Sequence, residues 1–485
     1  TGTVTQSVAS SLTTTNSNIT FGGTVIGDGG TEDTLTIDVG SGTVQFVGAV
    51  GGTAMGAIDI TGNLDLDAAV TDANSLSVTK TSNLGANVTT SGEQDFGTNN
   101  ADVTTISADV TLTTTNSNID MRSIDGAAGT EDLEFNTGSG DITVEGDVTD
   151  IAILTLTNSG GATFNGDVNA STNVTITASN ATGDDIIFNG SLTAGDLVVS
   201  ADDYDVQLNG GGTITANVDF QNTGTVQIGN SNTDNMLFTN GFDVSDPSAL
   251  TFGGTIRTTN TAITLNTAST LNANTTFNAG GAAITVSSTI QGGAAENNLV
   301  LTNTGANNIT IGAILGGTTS LGDLTVTSGG NTLINADITT SGNQVYNSAV
   351  IYTGNRTLTG ANVQFAGTVT KTNVADSLSI AVGNLNLDGT ADVEDLTVAE
   401  EANFAANVFA QDAITVSDLT TISSGTSITL TSDSGGTGGI SLEEISGVAS
   451  GGAENLTLAS GPSTIAVTGA VSDITNLTIT DSGGA

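Results

Sequence analysis

The sequence predicts an all-β chain wound as a parallel β-solenoid of about 20–25 residues per coil, built as one elongated rod. Three observations carry this. A short strand–turn–strand pattern recurs along the chain. Apolar residues alternate with polar ones at period two. Turn-forming residues fall between nearly all of these short segments.

The recurring pattern is clearest in three successive near-copies: Ile142-Thr143-Val144-Glu145-Gly146-Asp147-Val148, Ala162-Thr163-Phe164-Asn165-Gly166-Asp167-Val168 and Ile186-Ile187-Phe188-Asn189-Gly190-Ser191-Leu192. Relatives lie at Phe21–Val25, Phe46–Val50, Phe252–Ile256, Phe365–Val369 and Val467–Val471. One such unit has too little apolar surface to bury alone, so each is expected to stack on its neighbours, Phe above Phe and Gly turn above Gly turn. The alternation runs from Leu35-Thr36-Ile37-Asp38-Val39 through Val174-Thr175-Ile176 to Leu477-Thr478-Ile479, and it is the signature of half-buried strands. Gly, Asn, Asp and Ser between the strands tolerate turns and positive φ. The best helical candidate, residues 394–409, carries Asn, Val and Phe at strand spacing instead.

Longer repeats overlie the short one. Leu12-Thr13-Thr14-Thr15-Asn16-Ser17-Asn18-Ile19 returns letter for letter at residues 112–119. Gly30-Thr31-Glu32-Asp33 returns at residues 129–132, with looser relatives at residues 293–296 and 452–455. Thr89-Thr90-Ser91-Gly92-Glu93-Gln94 returns as Thr339-Thr340-Ser341-Gly342-Asn343-Gln344. The segment Leu477–Ala485 matches Leu154–Ala162. Residues 1–485 therefore read as a single continuous solenoid, either a segment of a longer array or a subunit that stacks end to end through open strand edges. Some 20–24 coils at about 4.8 Å each give a rod on the order of 100 Å. The alternative is a tandem array of β-sandwiches, which the 100-residue offset of the Leu12 repeat keeps in play.

Composition narrows the function. With 5 basic and 50 acidic residues the net charge is −45, so the body repels nucleic acid and anionic membrane surfaces and attracts divalent cations. Cys is absent, which rules out disulfides, and no apolar run reaches the roughly 18 residues of a membrane helix. His is absent too, removing the usual general base and most zinc sites.

Taken together, the Phe-x-Gly-x-Val turns, the Leu-Thr-Val and Leu-Thr-Leu strands, and residues 339–346 followed by 358–365 resemble the β-strand-repeat regions of large bacterial surface proteins, the filamentous-haemagglutinin-like adhesins and autotransporter passengers. The resemblance covers essentially the whole chain. It implies a right-handed parallel β-helix, secreted to the cell surface and serving as a stalk or adhesive fibre. It carries over no catalytic residue.

Candidate chemistry is sparse. Asp202, Asp203 and Asp205, Glu32 with Asp33, and Glu131 with Asp132 are calcium candidates, because hard cations need several oxygens at once and stacked turns bring carboxylates together. The plain reading is that they are solvated turn residues. Two carboxylate clusters, Asp184-Asp185 and Asp202-Asp203-Tyr204-Asp205, are the candidates for polysaccharide hydrolysis, with solvated turns as the plain reading of both. Threonine-rich strands such as Thr111-Leu112-Thr113 resemble ice-binding faces but equally suit any outer strand face. For sugar stacking only Tyr204, Tyr346 and Tyr352 remain, since Trp is absent and the Phe residues follow the core register. The expectation is an extracellular, non-enzymatic structural protein: a cell-surface fibre, sheath or adhesin shaft. Its partners are further copies or neighbouring segments of the same repeat protein, and host or surface glycans, with no membrane insertion. A polysaccharide-acting enzyme or carbohydrate-binding β-helix is the alternative.

Overall fold

The computed structural model describes residues 2–30, 32–177, 184–423, 425–433, 438–448, 454–480 and 483. Among these residues there are strands and turns but no helix. The chain forms two compact units, one of Thr1–Asn230 with Asp234–Leu250 and one of Ser231–Thr233 with Thr251–Ala485. Each is a parallel β-solenoid; between them they make about 22 turns, with paired strands about 21 residues apart. Antiparallel sandwich modules are thereby excluded, since the strands pair in parallel with their successors one coil on.

In the first unit successive coils contribute a strand, or at Val50 and Phe220 a single bridge, to three ladders. The first ladder stacks Leu12, Ile37, Ile60, Val78, Phe96, Met121, Val144, Phe164, Phe188, Leu208 and Ile228 in one inward column. The second stacks Phe21, Phe46, Leu66, Leu84 and Ile106. The third stacks Val25, Val50, Val70, Val88, Leu112, Phe135, Leu156, Ile176 and Val199. Alternation supplies these columns directly. In Leu35–Phe46, buried and half-buried positions alternate on both sides of the corner at Gly40-Ser41-Gly42. Aromatic rings lie flat on one another at the inter-strand spacing: Phe21 on Phe46 at 5.0 Å and Phe164 on Phe188 at 5.1 Å between centroids.

The second unit also has three strands per coil. One column runs Phe277, Leu301, Val326, Tyr346, Phe365, Leu387, Phe404 and Ile422. Another runs Leu358, Ile380, Val398, Val416, Leu442 and Val467. The third begins at Ile263–Leu265 and passes through Ile284–Val286, Ile309–Ile311 and Thr332–Ile334. Residues 394–409 contain the strands Leu396–Val398 and Ala402–Phe404, as their spacing requires.

The register corrects how the repeats fit together. The Phe-x-Gly-x-Val pattern is not one position in the coil. Val144–Val148 turns from the first ladder to the second, whereas Phe21–Val25 and Phe46–Val50 turn from the second to the third. The 100-residue copy behaves in the same way. Leu12 to Ile19 joins the first ladder to the second, and Leu112 to Ile119 joins the third to the first. The recurring module is thus a corner, reusable at any edge of the coil, and the offset of 100 residues marks no domain.

Candidate functional site

The polar side chains concentrate at these corners, and they bind the next coil. In the corner around Asn16 the backbone is left-handed at Asn16 (φ 55°), a conformation Asn tolerates. Thr14 Oγ1 donates to the Ser17 carbonyl at 2.6 Å, and Asn16 Oδ1 accepts the Ser41 N–H of the following coil at 2.9 Å. Asn116 (φ 56°) repeats this, accepting from Ser139 at 3.0 Å, while Thr114 Oγ1 donates to the Ser117 carbonyl. A third copy, Thr258-Thr259-Asn260-Thr261-Ala262-Ile263, escapes letter matching but has the same geometry: Asn260 has φ 59° and accepts from Gly281 at 2.7 Å. Gly40, Gly138 and Gly280 lie over the three asparagines, and a Cβ on any of them would strike the Asn side-chain oxygen.

Aspartates act in the same way. Asp147 Oδ1 accepts the Asp167 N–H at 2.9 Å, and Asp167 Oδ1 accepts the Ser191 N–H at 2.7 Å. Asp323 accepts from Asn343 at 2.7 Å, and Asp337 from Thr357 at 3.0 Å. Next to the Phe164–Phe188 column runs an amide ladder. Asn165 donates to Glu145 Oε2 at 2.9 Å, Asn189 to Asn165 at 2.9 Å, Asn209 to Asn189 at 3.0 Å and Gln227 to Asn209 at 2.6 Å.

The calcium candidates fall into this scheme. Asp205 Oδ1 accepts the Thr225 N–H of the next coil at 2.5 Å. Asp202 Oδ1 accepts the Asp203 N–H at 2.9 Å, and Asp203 is exposed. Glu32 is exposed; Asp33 is half-buried and its carbonyl accepts the Gly56 N–H at 3.1 Å. Glu131 is buried, with Oε2 accepting the N–H groups of Ala128 and Thr130 at 3.1 Å each. Burial opposes its ionisation, but the surrounding backbone N–H groups outweigh that and hold its carboxyl below the ordinary range. Asp132 donates its N–H to Asp109 Oδ1 at 3.1 Å; burial, then the Asp109 charge, raises its own carboxyl. Among the described residues no three acidic side chains gather in a metal-holding group.

Stacking does bring distant carboxylates together in pairs. Asp185 lies opposite Asp205 and Asp95 opposite Asp120 on adjacent strands. Burial, and then the Asp205 charge, raises the Asp185 carboxyl. Burial raises Asp95, Arg122 opposes this, and Asp120 adds to it. Two of the five cations are similarly paired across coils, Arg356 with Asp337 at 3.5 Å and Lys371 with Asp392.

All three tyrosines are buried, so none offers a ring to a sugar. Tyr204 donates to the Ser200 carbonyl at 2.9 Å, Tyr346 to Gln344 Oε1 at 2.9 Å and Tyr352 to the Asp376 carbonyl at 2.8 Å. Sequence reasoning missed several buried polar positions. Gln94 and Gln344 are fully buried, although their repeated Thr-Thr-Ser-Gly-x-Gln context marked the corner. Glu454 is also buried, with Oε1 accepting the Gly425 N–H at 3.2 Å; the adjoining Gly452 and Ala453 of its repeat lie outside the described residues, as do Thr31 and the matched positions 481, 482, 484 and 485. No protein-family model, curated protein or solved structure matches this chain.

Proposed function

We propose that the chain is an extracellular structural protein, the shaft of a cell-surface fibre, sheath or adhesin, extended by coil-on-coil stacking with further coils of the same kind. The observation that carries this reading is that corner side chains bond one coil to the next in both units, Asn16 to Ser41 and Asp147 to Asp167 in the first and Asp323 to Asn343 in the second. Leu12, Leu477 and Ile479 are 38%, 39% and 44% exposed, whereas their register partners Ile37, Leu456 and Leu458 are 0% exposed. A further parallel strand against either edge would bury these side chains and satisfy the edge N–H and C=O groups. Within the units, corner Asn and Asp residues are already committed to coil-to-coil bonds, which suits a load-bearing body.

The test is electron microscopy and sedimentation of the purified chain across a concentration series. The reading predicts end-to-end polymers that grow with concentration and are abolished by Leu477→Asp with Ile479→Asp. A chain that stays monomeric at every concentration would overturn assembly through its own ends. The Asp185–Asp205 pair is the feature that favours a polysaccharide-hydrolysing reading, and release of reducing sugar that Asp185→Asn abolishes would establish it.

A further inference from the structure

We propose that the second unit carries a binding groove for a neutral oligosaccharide, laid along the stacking direction over the strands Val369–Lys371, Ala391–Val393, Val408–Ala410 and Ser427–Ser432, with Phe409 as its platform. Phe409 is 39% exposed and is the one aromatic residue among the strongly exposed large apolar side chains of the described residues. A single exposed apolar side chain is ordinary; its setting here is not. Phe409 sits in an outward column between Asp392 on the preceding coil and Thr431 on the following one, with Thr370 before Asp392. Asn407 and Thr429 flank it in the same groove, whose volume of about 460 Å3 is within the range of small-ligand sites.

Lys371 prepares the groove. Its side chain is only 8% exposed, it pairs with Asp392, and its Nζ donates to the Val393 carbonyl at 3.0 Å. The same ammonium lies 5.7 Å from the Phe409 ring centroid, so a fixed cation braces the ring from its own side and leaves the outer side to a ligand. Asp392 is the charged residue among those lining the groove, and the ion pair with Lys371 offsets its charge on a chain of net charge −45. An anionic ligand is repelled by the body, and a cationic one finds Asp392 already paired. A neutral ligand with an apolar ring face and peripheral hydroxyls matches what remains: the Phe409 ring, the Thr370 and Thr431 hydroxyls, and the Asn407 amide NH2, whose oxygen is already taken by the Thr429 N–H at 2.8 Å. Successive coils rise by about 4.8 Å, close to the length of one sugar ring in an extended chain, so each coil presents one set of contacts per sugar.

The test is saturation-transfer NMR and calorimetric titration of the full chain with cellohexaose, chitohexaose and maltohexaose, with oligogalacturonate as the anionic probe. At least one neutral hexasaccharide should bind. Phe409→Ala should weaken that binding at least tenfold with an unchanged melting temperature, since the ring is outside the core, and Lys371→Met should weaken it as well. No binding of any neutral probe, tighter binding of oligogalacturonate, or full retention of binding by Phe409→Ala would overturn the proposal. These outcomes are independent of whether the chain polymerises.

Discussion

Gln94 in the first unit and Gln344 in the second occupy the same kind of corner, yet only one is complete. Gln94 Nε2 donates to the Thr113 carbonyl at 2.9 Å, the Val88 carbonyl at 3.2 Å and Thr90 Oγ1 at 3.2 Å. Gln344 Nε2 donates to Thr359 at 2.8 Å, Ile338 at 3.4 Å and Thr340 Oγ1 at 3.4 Å. The difference lies two residues on. Tyr346 donates its hydroxyl to Gln344 Oε1, but the corresponding residue in the first unit is Phe96, and Gln94 Oε1 is buried with no partner. A buried amide stitches two coils together in both units, and a single hydroxyl decides whether its desolvation is fully repaid.

Substitutions can break or sharpen this contrast. Gln344→Ala should have the largest effect, lowering stability by about 3 kcal/mol, because it strands buried carbonyls and the Tyr346 hydroxyl together; Gln94→Ala should cost about 1 kcal/mol less. Urea unfolding of the full chain compares the two, and equal losses would remove the asymmetry. Tyr346→Phe turns the second corner into the first and should cost about 1–2 kcal/mol, leaving the ring stack on Phe365 in place. Phe96→Tyr is the reciprocal change and should gain about 1 kcal/mol, the rare case of adding a polar atom to a core to stabilise it.

Charge gives the smallest and most distributed contrast. In the first unit Glu93, Asp95, Asp132 and Asp185 are raised, each chiefly by burial, and Glu131 is lowered; in the second, Glu394 is raised and Asp376 lowered. A carboxyl raised in the folded state binds more protons folded than unfolded. Stability therefore rises as pH falls from neutral through the raised range, and it falls again below the ordinary carboxylate range, where Glu131 and Asp376 become protonated. The melting temperature should pass through a maximum in mild acid. Asp185→Asn should flatten the neutral limb by a degree or two, because it removes the repulsion with Asp205 while keeping a polar group. A melting temperature that only declines from pH 7 downward would contradict this.

The coil, its parallel stacking and its inward columns were legible in the sequence because period two and repeat spacing are local signals. Val144, Phe164 and Phe188 align on one ladder as their pattern implies. The ladder each repeat joins was not legible, because one corner chemistry fits every edge: Leu12 and Leu112 share eight letters and stand on different ladders. Nor does adjacency in sequence report adjacency across coils, which is why Asp185 with Asp205 and Lys371 with Asp392 emerge only from register. Gln94 and Gln344 stand out in the sequence only as the last letter of a repeated hexapeptide, because Gln is usually exposed and nothing nearby in sequence reveals the carbonyls it meets one coil away.

The central claim is that residues about one coil apart in sequence are immediate strand neighbours. The chain has no Cys, so engineered pairs report on this without background. Thr163 and Ile187 are outward register partners on adjacent coils, and Gln207 is the partner of Ile187 one coil further on. Under mild oxidation, Thr163→Cys with Ile187→Cys should form an intramolecular disulfide readily, whereas Thr163→Cys with Gln207→Cys, two strand spacings apart, should not. Equal cross-linking of the two pairs, or preferential cross-linking of the distant one, would contradict the stacked-coil account.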